Sequence, residues 1–325
     1  MSAQAQIVET VGGRALGMGG AFVAVADDSS ASWWNPAGFA AGPFVDVAVG
    51  KAAAGADERL PGWRSRPTWF AVGTPPLGVS VYRFRITDIR PTDTKGQPED
   101  GRQDTRVGVS ARSLSATQVG VSIVHTLVPG VHVGSTVKFL RGSLRAGTFD
   151  APADLTAGLD RGESLEGGDA GNRFDLDLGV LAVAGPVRLG AVVRNLRQPE
   201  WRALEPVAET EESLSVPRQA RVGLAVDLAT GSDRSVVAAF DGDVKAYAAA
   251  SGERQMLALG VESWWLQKRL GVRAGGRVNA RAARERTATV GLSVAPRGGV
   301  LIEGHYAGGG DRAEQGWGVT TRVSY

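Results

Sequence analysis

The chain has no cysteine, which excludes disulfide frameworks, thiolate metal sites and cysteine nucleophiles. It also lacks any run approaching the ~18 uninterrupted apolar residues of a membrane-spanning helix, so a helical membrane protein is excluded. Sustained helical periodicity is missing after residue 40. There is little net charge: 36 basic residues face 34 acidic ones. The basic residues are scattered, with no stripe interleaved with aromatics, which excludes a nucleic-acid partner. His125, His132 and His305 have no metal-ligand spacing. Neither Gly-x-Ser-x-Gly nor His-Glu-x-x-His occurs. The run Gly17-Met18-Gly19-Gly20 is not followed by the Lys-Ser/Thr of a phosphate loop. No metal, cofactor or enzymatic activity is therefore expected. Residues 1–6 have neither the basic nor the apolar region of a signal peptide. Ala3-Gln4-Ala5 does have the small-x-small pattern of a signal-peptidase site, as a mature exported chain would. A plain cytosolic start is the alternative those six residues leave open.

What the chain has in quantity is glycine, 45 residues, and a period of two. Phe174-Asp175-Leu176-Asp177-Leu178-Gly179-Val180 puts Phe, Leu, Leu and Val on one face and Asp, Asp and Gly on the other. Arg221-Val222-Gly223-Leu224-Ala225-Val226-Asp227 repeats the pattern. Each such stretch reads as a half-buried strand, and about 14 of them follow residue 42, near the ~9–11 residues that cross a bilayer obliquely.

The connections alternate. Long polar gaps near 51–65, 89–114, 143–173 and 197–217 are separated by tight turns such as Thr74-Pro75-Pro76, Val128-Pro129-Gly130 and Ala184-Gly185-Pro186. An up-and-down transmembrane barrel sorts its loops in this way; a soluble sandwich has no reason to. Charges lie deep in the polar phase of the strands. Closing the hairpins brings Asp175 and Asp177 towards Arg194, and Glu262 towards Arg273, as lumen charge pairs worth ~0.2–1 kcal/mol each. The last strand, Gly316 to Tyr325, has Trp317 and Tyr325 at the two ends of its apolar face, as interfacial aromatic girdles require. The expected fold is all-β: an up-and-down antiparallel transmembrane β-barrel of about 14 strands over residues 43–325, in a bacterial outer membrane and in contact with its lipid.

Residues 1–42 then form a separate N-terminal segment. Gly12 to Phe22 is too glycine-rich for a lipid-facing strand. Asp27, Asp28 and Ser29 offer N-cap chemistry to a short helical turn over Ser30 to Trp34, and Asn35-Pro36 ends it. This segment has no lipid-compatible place except the lumen or its periplasmic mouth, where glycine lets backbone approach the wall. Trp33 and Trp34 become wedges between that turn and the barrel.

The stretch GGRALGMGGAFVAVADDSSASWWNPAGFA, residues 12–40, resembles the N-terminal hatch of the FadL-like outer-membrane proteins. It is closer still to their PorV/PorQ branch, which also carries the glycine-methionine-glycine-glycine segment before Asn-Pro-Ala. The resemblance covers about a tenth of the chain by motif and the remainder by architecture. It implies a hatch built around Gly17, Met18, Gly19, Gly20, Asp27, Asp28, Trp33, Trp34, Asn35, Pro36 and Ala37 that blocks the lumen. It also implies passage of small hydrophobic molecules with lateral exit at a break in the third strand. There, Leu77, Val79 and Val81 set one apolar phase and Tyr82, Phe84 and Ile86 the other, so a bulge at Val81-Tyr82-Arg83 is expected. The competing expectation is a PorV-like scaffold, an accessory subunit of a secretion, motility or surface-assembly complex. The sign-paired lumen and the acidic stretch 143–173 favour that alternative.

Overall fold

The computed structural model describes residues 3–4, 11–56, 60–92, 108–150, 152, 154–166, 168, 170–203, 213–231, 233–249, 252–281, 285–309 and 314–325. Ala5 of the peptidase-like pattern, and Asp169 of the acidic stretch, lie outside them.

The barrel strands are β1 (Asp46–Ala56), β2 (in two pieces, Gly62–Ser65 and Thr68–Thr74), β3 (Leu77–Thr92), β4 (Gly108–Val128), β5 (Val131–Asp150), β6 (Gly171–Ala184) and β7 (Val187–Arg194). They continue as β8 (Gln219–Thr230), β9 (Arg234–Asp243), β10 (Met256–Trp265), β11 (Leu270–Asn279), β12 (Arg286–Arg297), β13 (Val300–Gly309) and β14 (Gln315–Ser324). Sequential strands pair antiparallel, and β14 returns to β1 from Asp46↔Ser324 to Gly55↔Gln315. The closed sheet therefore has 14 strand positions and no free edge. The break in β2 falls at Arg66-Pro67, because proline has no N–H for the ladder. Arg66 N–H still donates to the Arg85 carbonyl at 3.1 Å, and the Pro67 carbonyl accepts from Ala52 at 3.0 Å, so the wall stays stitched across the gap.

Polarity is inverted relative to a soluble protein. Val79, Val81, Val121, Ile123, Val137, Phe139, Leu224, Leu259, Val290 and Ile302 point outward and are exposed. Lys138, Asp175, Arg221, Asp241, Glu262, Arg273 and Glu303 point inward and are buried. Alternation in a β-strand separates these two sets residue by residue.

Strands β3, β4 and β5 run for 16, 21 and 20 residues. They outrun the bilayer and form a blade beyond its outer face. The gaps read as polar loops at 89–114 and 143–173 are therefore partly strand. The sequence pattern hid this because the outward apolar residues Ile89, Val109, Ala111 and Phe149 meet neither lipid nor water. They pack instead under Leu159 of a helix, α3 (Leu155–Glu163). The first turn of α3 is capped by the Asp154 carboxylate, which accepts from the Ala157 amide at 2.7 Å. The polar gap at 197–217 also departs from expectation. Glu200–Arg202 pairs antiparallel with Ser213–Ser215, and Trp201 and Leu214 are buried against Leu114, Leu140 and Leu144 on the lumen side of β4 and β5. An outer loop thus folds inward and covers apolar wall.

Candidate functional site

The N-terminal segment lies inside the barrel. Its first helix, α1 (Gly13–Gly17), ends in a turn where Gly19 and Gly20 have φ of 70° and 84°. That left-handed backbone favours glycine, and the Gly19 and Gly20 amides close on the Leu16 and Ala15 carbonyls at 3.1 and 2.9 Å. This is the local reason for the sequence Gly17-Met18-Gly19-Gly20. A second helix, α2 (Ala31–Trp34), follows an aspartate turn in which Asp28 accepts from the Ser30 amide at 3.0 Å and the Ser30 hydroxyl at 2.5 Å. Asn35 is extended at φ −163° and stops α2, and the chain resumes at once as a 3-10 helix over Pro36–Ala41.

Asn35 is fully buried and uses its whole amide. Nδ2 donates to the Val23 carbonyl at 2.8 Å and to the Val180 carbonyl of β6 at 3.0 Å. Oδ1 accepts from the Ala37 amide at 3.1 Å. One side chain therefore ties two arms of the segment to each other and to the wall. Asp241 of β9 supplies a second anchor, accepting from the Phe22 and Val23 amides, both at 2.8 Å. Trp34 donates Nε1–H to the Val11 carbonyl at 2.9 Å and meets Phe22 edge-on at 6.1 Å between ring centroids. Trp33 is half-buried between the Tyr82 ring, 5.0 Å away, and the Arg194 guanidinium, 4.5 Å away.

Lumen-facing glycines receive the segment. A Cβ at Gly73 or Gly78 would strike the Phe39 ring, at Gly134 the Pro36-Ala37 backbone, and at Gly179 the Asn35 amide. At Gly190 and Gly223 it would meet Val23-Ala24, at Gly260 and Gly275 Met18, and at Gly291 Gly17. These residues come from β2, β3, β5, β6, β7, β8, β10, β11 and β12, so the contact belt runs around most of the barrel. The sequence reading passed over the belt, taking a glycine in the polar phase as one more small residue. The available signal was its recurrence on that phase in strand after strand.

On the short-turn side the segment joins a buried ionic network. Arg14 makes a two-pronged contact with Glu262, Nε and Nη2 each at 2.7 Å, and also meets Asp27 and Asp28. Glu262 is shared with Arg273 at 2.6 Å, and Arg273 Nη1 donates to Ser293 at 2.6 Å. Arg322 reaches Asp28 at 3.1 Å and Glu303 at 3.2 Å. Burial pushes the Asp28 carboxyl up, but Arg322 and Arg14 outweigh it and hold the group below the usual carboxylate range. Burial likewise lowers the Arg14 guanidinium, and Asp27, Glu262 and Asp28 more than reverse the effect. A cavity of about 680 Å³ opens beneath this network, between Arg14, Asp27, Trp264, Lys268 and Arg322.

The other lumen charges include a partner that the sequence expectation did not name. Asp175 and Asp177 converge on Lys138 of β5, at 2.7 and 2.6 Å. The other Asp175 oxygen accepts from the Arg197 amide at 2.9 Å, and the Asp177 oxygen that meets Lys138 also accepts from the Asn195 amide at 2.8 Å. Arg194 lies over the Trp33 ring, so it helps seat the N-terminal segment. Lys138 was missed because β5 meets β6 through a long loop whose register no tight turn fixes.

The expected bulge at Val81-Tyr82-Arg83 is not formed. β3 pairs with β2 from Thr68↔Arg83 to Thr74↔Leu77, and with β4 from Leu77↔Ile123 to Thr92↔Gly108, with no shift in either ladder. The apolar phase changes because Tyr82, Phe84 and Ile86 face an apolar stretch of lumen. Tyr82 and Ser32 hydroxyls meet at 2.5 Å. Tyr82 packs with Trp69, Ala71, Ala48, Val11 and Trp33, and Phe84 and Ile86 with Trp63 and Ala54. Among the described residues no three His, Asp or Glu side chains gather as a metal site.

A closed antiparallel barrel with an apolar exterior, a charged interior and an internal N-terminal segment defines a transmembrane β-barrel of the outer-membrane type. Solved structures share this fold across its full length. The Pseudomonas putida toluene transporter TodX matches with a TM-score of 0.58 at 13% identity, covering 98% of this chain and 99% of that one. The CymD monoaromatic hydrocarbon channel matches at 0.61 and 12%, covering 99% of each. A Pseudomonas aeruginosa FadL homologue matches at 0.56 and 11%, covering 98% of each. The architecture is thus FadL-like. No curated protein sequence matches the chain. The family model described as "F plasmid transfer operon, TraF, protein" matches residues 69–243, more than half of the chain, and the chain belongs to that family.

Proposed function

We propose that the protein is an outer-membrane channel for small, largely apolar molecules, with residues 12–40 as a hatch that closes the lumen. One observation carries this reading: the charged lumen has an apolar side. Trp63, Ile86, Phe84, Tyr82, Trp69 and Trp33 form a strip along β2 and β3, from the outer end of the barrel down to the hatch. The paired charges that favoured a scaffold are grouped elsewhere on the wall: Lys138 with Asp175 and Asp177 on β5 and β6, Arg112 with Asp88 at the outer end beside Trp63, and Glu262 with Arg273 beneath the hatch, where Glu262 also holds Arg14. A hydrophobic permeant would descend the strip and meet the Trp33–Tyr82 contact as its barrier. Channels such as TodX and CymD, named for toluene and monoaromatic hydrocarbons, have this architecture, which supports the proposal at the level of fold.

The test is uptake of toluene into liposomes containing the purified full chain. Phe84→Arg and Ile86→Glu, which put charge on the strip, should reduce uptake several-fold, and deletion of residues 12–40 should raise it. Uptake indifferent to all three changes, or no uptake, overturns the channel.

The second reading keeps the PorV/PorQ likeness and makes the barrel an accessory subunit of a secretion, motility or surface-assembly complex. The β3–β5 blade with its helix α3 favours it, as a surface projecting beyond the membrane. Co-purification of a defined complex that is lost when α3 is deleted would support this reading over the channel.

A further inference from the structure

The outward face of β2–β5 changes character within one rung of the sheet. Phe70, Val81, Val119 and Phe139 stand side by side across four strands, by the pairings Phe70↔Val81, Val81↔Val119 and Val119↔Phe139, and all four are exposed. The next outward rung is Thr68, Arg83, Thr117 and Arg141, paired in the same way. Above it stand Arg85, Ser115 and Ser143. Two residues along a strand advance about 6.8 Å, so the Arg83–Arg141 rung sits at the upper border of the lipid-facing band.

The cations of this patch are unevenly satisfied. Glu163 at the end of α3 takes Arg66 at 2.9 Å and Arg64 at 3.4 Å, and Asp160 takes Arg64 at 2.6 Å. Arg85 donates Nε–H to Ser115 at 3.1 Å. Arg83 and Arg141 have no hydrogen-bond or ion-pair partner among the described residues. They flank Thr117 from alternate strands, with backbones about 10 Å apart at the ordinary inter-strand spacing. Two long guanidinium side chains can close on one tetrahedral anion across that distance, with the threonine hydroxyl between them. A recess of about 390 Å³ lies there, lined by Arg66, Arg83, Arg85, Thr117, Arg141 and Glu163. A second recess, on β9 to β13, is lined mainly by apolar residues, among them Phe240, Leu257, Leu259 and Val278, with Arg277 and Arg286 also in its lining.

We propose that Arg83 and Arg141, with Thr117, bind the phosphate group of a phosphorylated lipid in the outer leaflet. Planar guanidinium forks match phosphate oxygens bidentately. Basic residues in a pocket at headgroup level recognise anionic lipid specifically. The acyl chains of such a lipid would lie against the Phe70–Phe139 rung directly below. The inference rests on the membrane-spanning fold and is independent of what passes through the lumen.

The experiment is native mass spectrometry of the detergent-purified full chain with added diphosphoryl lipid A, beside its dephosphorylated analogue. Variants are read only after heat-modifiability on gels shows a closed barrel. The expected result is a bound diphosphoryl lipid whose affinity falls on the order of tenfold or more in R83Q/R141Q. The conservative pair R83K/R141K should retain part of the binding, and Arg286→Gln, elsewhere on the exterior, should change nothing. Equal binding of the dephosphorylated lipid, or undiminished binding by R83Q/R141Q, overturns the proposal. Displacement of the lipid by millimolar inorganic phosphate also overturns it, by assigning the arginines to a free anion.

Discussion

Asn35→Ala should loosen the N-terminal segment, the proposed hatch, while leaving the barrel closed. The substitution deletes two donated bonds, to Val23 and Val180, and one accepted bond, from Ala37. A buried hydrogen bond contributes about 0.5–1.5 kcal/mol net, and an orphaned buried partner costs more. Three bonds therefore place the loss near 3 kcal/mol, roughly a hundredfold in a local opening equilibrium. Hydrogen–deuterium exchange on the purified barrel should show that change at amides between residues 21 and 38, with the strand amides unaltered. Asn35→Asp separates the donors from the acceptor. It keeps an oxygen for the Ala37 amide but turns an anionic oxygen towards two carbonyls in a buried site. It should therefore expose the hatch more than alanine does at neutral pH, and recover on acidification, because a protonated carboxyl can donate once. Wild-type protection in Asn35→Asp at pH 7, or exchange in Asn35→Ala no faster than in wild type, would refute the role given to the amide.

Three other outcomes follow from the same contacts. Trp34→Ala should cost about 3–5 kcal/mol, the usual range for emptying a buried indole site. Trp33→Ala, at a half-buried site, should cost less, so permeability to a small probe should rise in the order wild type, Trp33→Ala, Trp34→Ala; equal permeability would show that neither seals the lumen. Asp28 has a folded-state pKa below its unfolded value of about 3.9, so its contribution is present above that value and disappears as pH falls through the lowered one. Hatch protection in wild type should then fall only below about pH 4; in Asp28→Asn the protection should already be reduced at neutral pH and should lose this acid step, as followed by exchange against pH. Gly190→Val would push a side chain against the Val23 carbonyl, which lies only 2.5 Å from an added Cβ. Overpacking of this kind costs about 1–3 kcal/mol and should leave a heat-modifiable barrel whose residues 11–42 are cut by protease faster than in wild type.

The barrel was legible because its code is strictly local: alternation reports two faces, and turn residues report where strands reverse. Strand count, closure and the short turns all follow from residues adjacent in sequence. The short helical turn before Asn35-Pro36 was legible for a similar reason, since those residues act on their own neighbours. What escaped the sequence was whatever depends on strands brought together by long loops. Lys138 finds Asp175 and Asp177 across the β5–β6 junction, where no tight turn sets the register. Ile89 and Val109 fall in a stretch read as a polar gap, and only the placement of α3 shows what covers them.

The change of phase at Val81-Tyr82-Arg83 is the instructive error. The rule that apolar means lipid and polar means lumen assigns Tyr82, Phe84 and Ile86 to the wrong face and then needs a bulge to rescue the assignment. The unbroken ladders leave one other solution, a lumen that is itself apolar along this strand. Arg83 and Arg85, in the outward phase, follow from the same fact: β3 has left the hydrocarbon by Arg83, so the outward positions turn basic while the inward ones stay greasy. A single stretch of sequence, Val81 to Ile86, thus marks both the upper edge of the bilayer and the apolar side of the lumen. A purely structural scaffold has no need of an aromatic strip leading to a plug, whereas a path for hydrophobic molecules requires one. For that reason the strip, more than the hatch motif, supports the proposed channel over the accessory subunit.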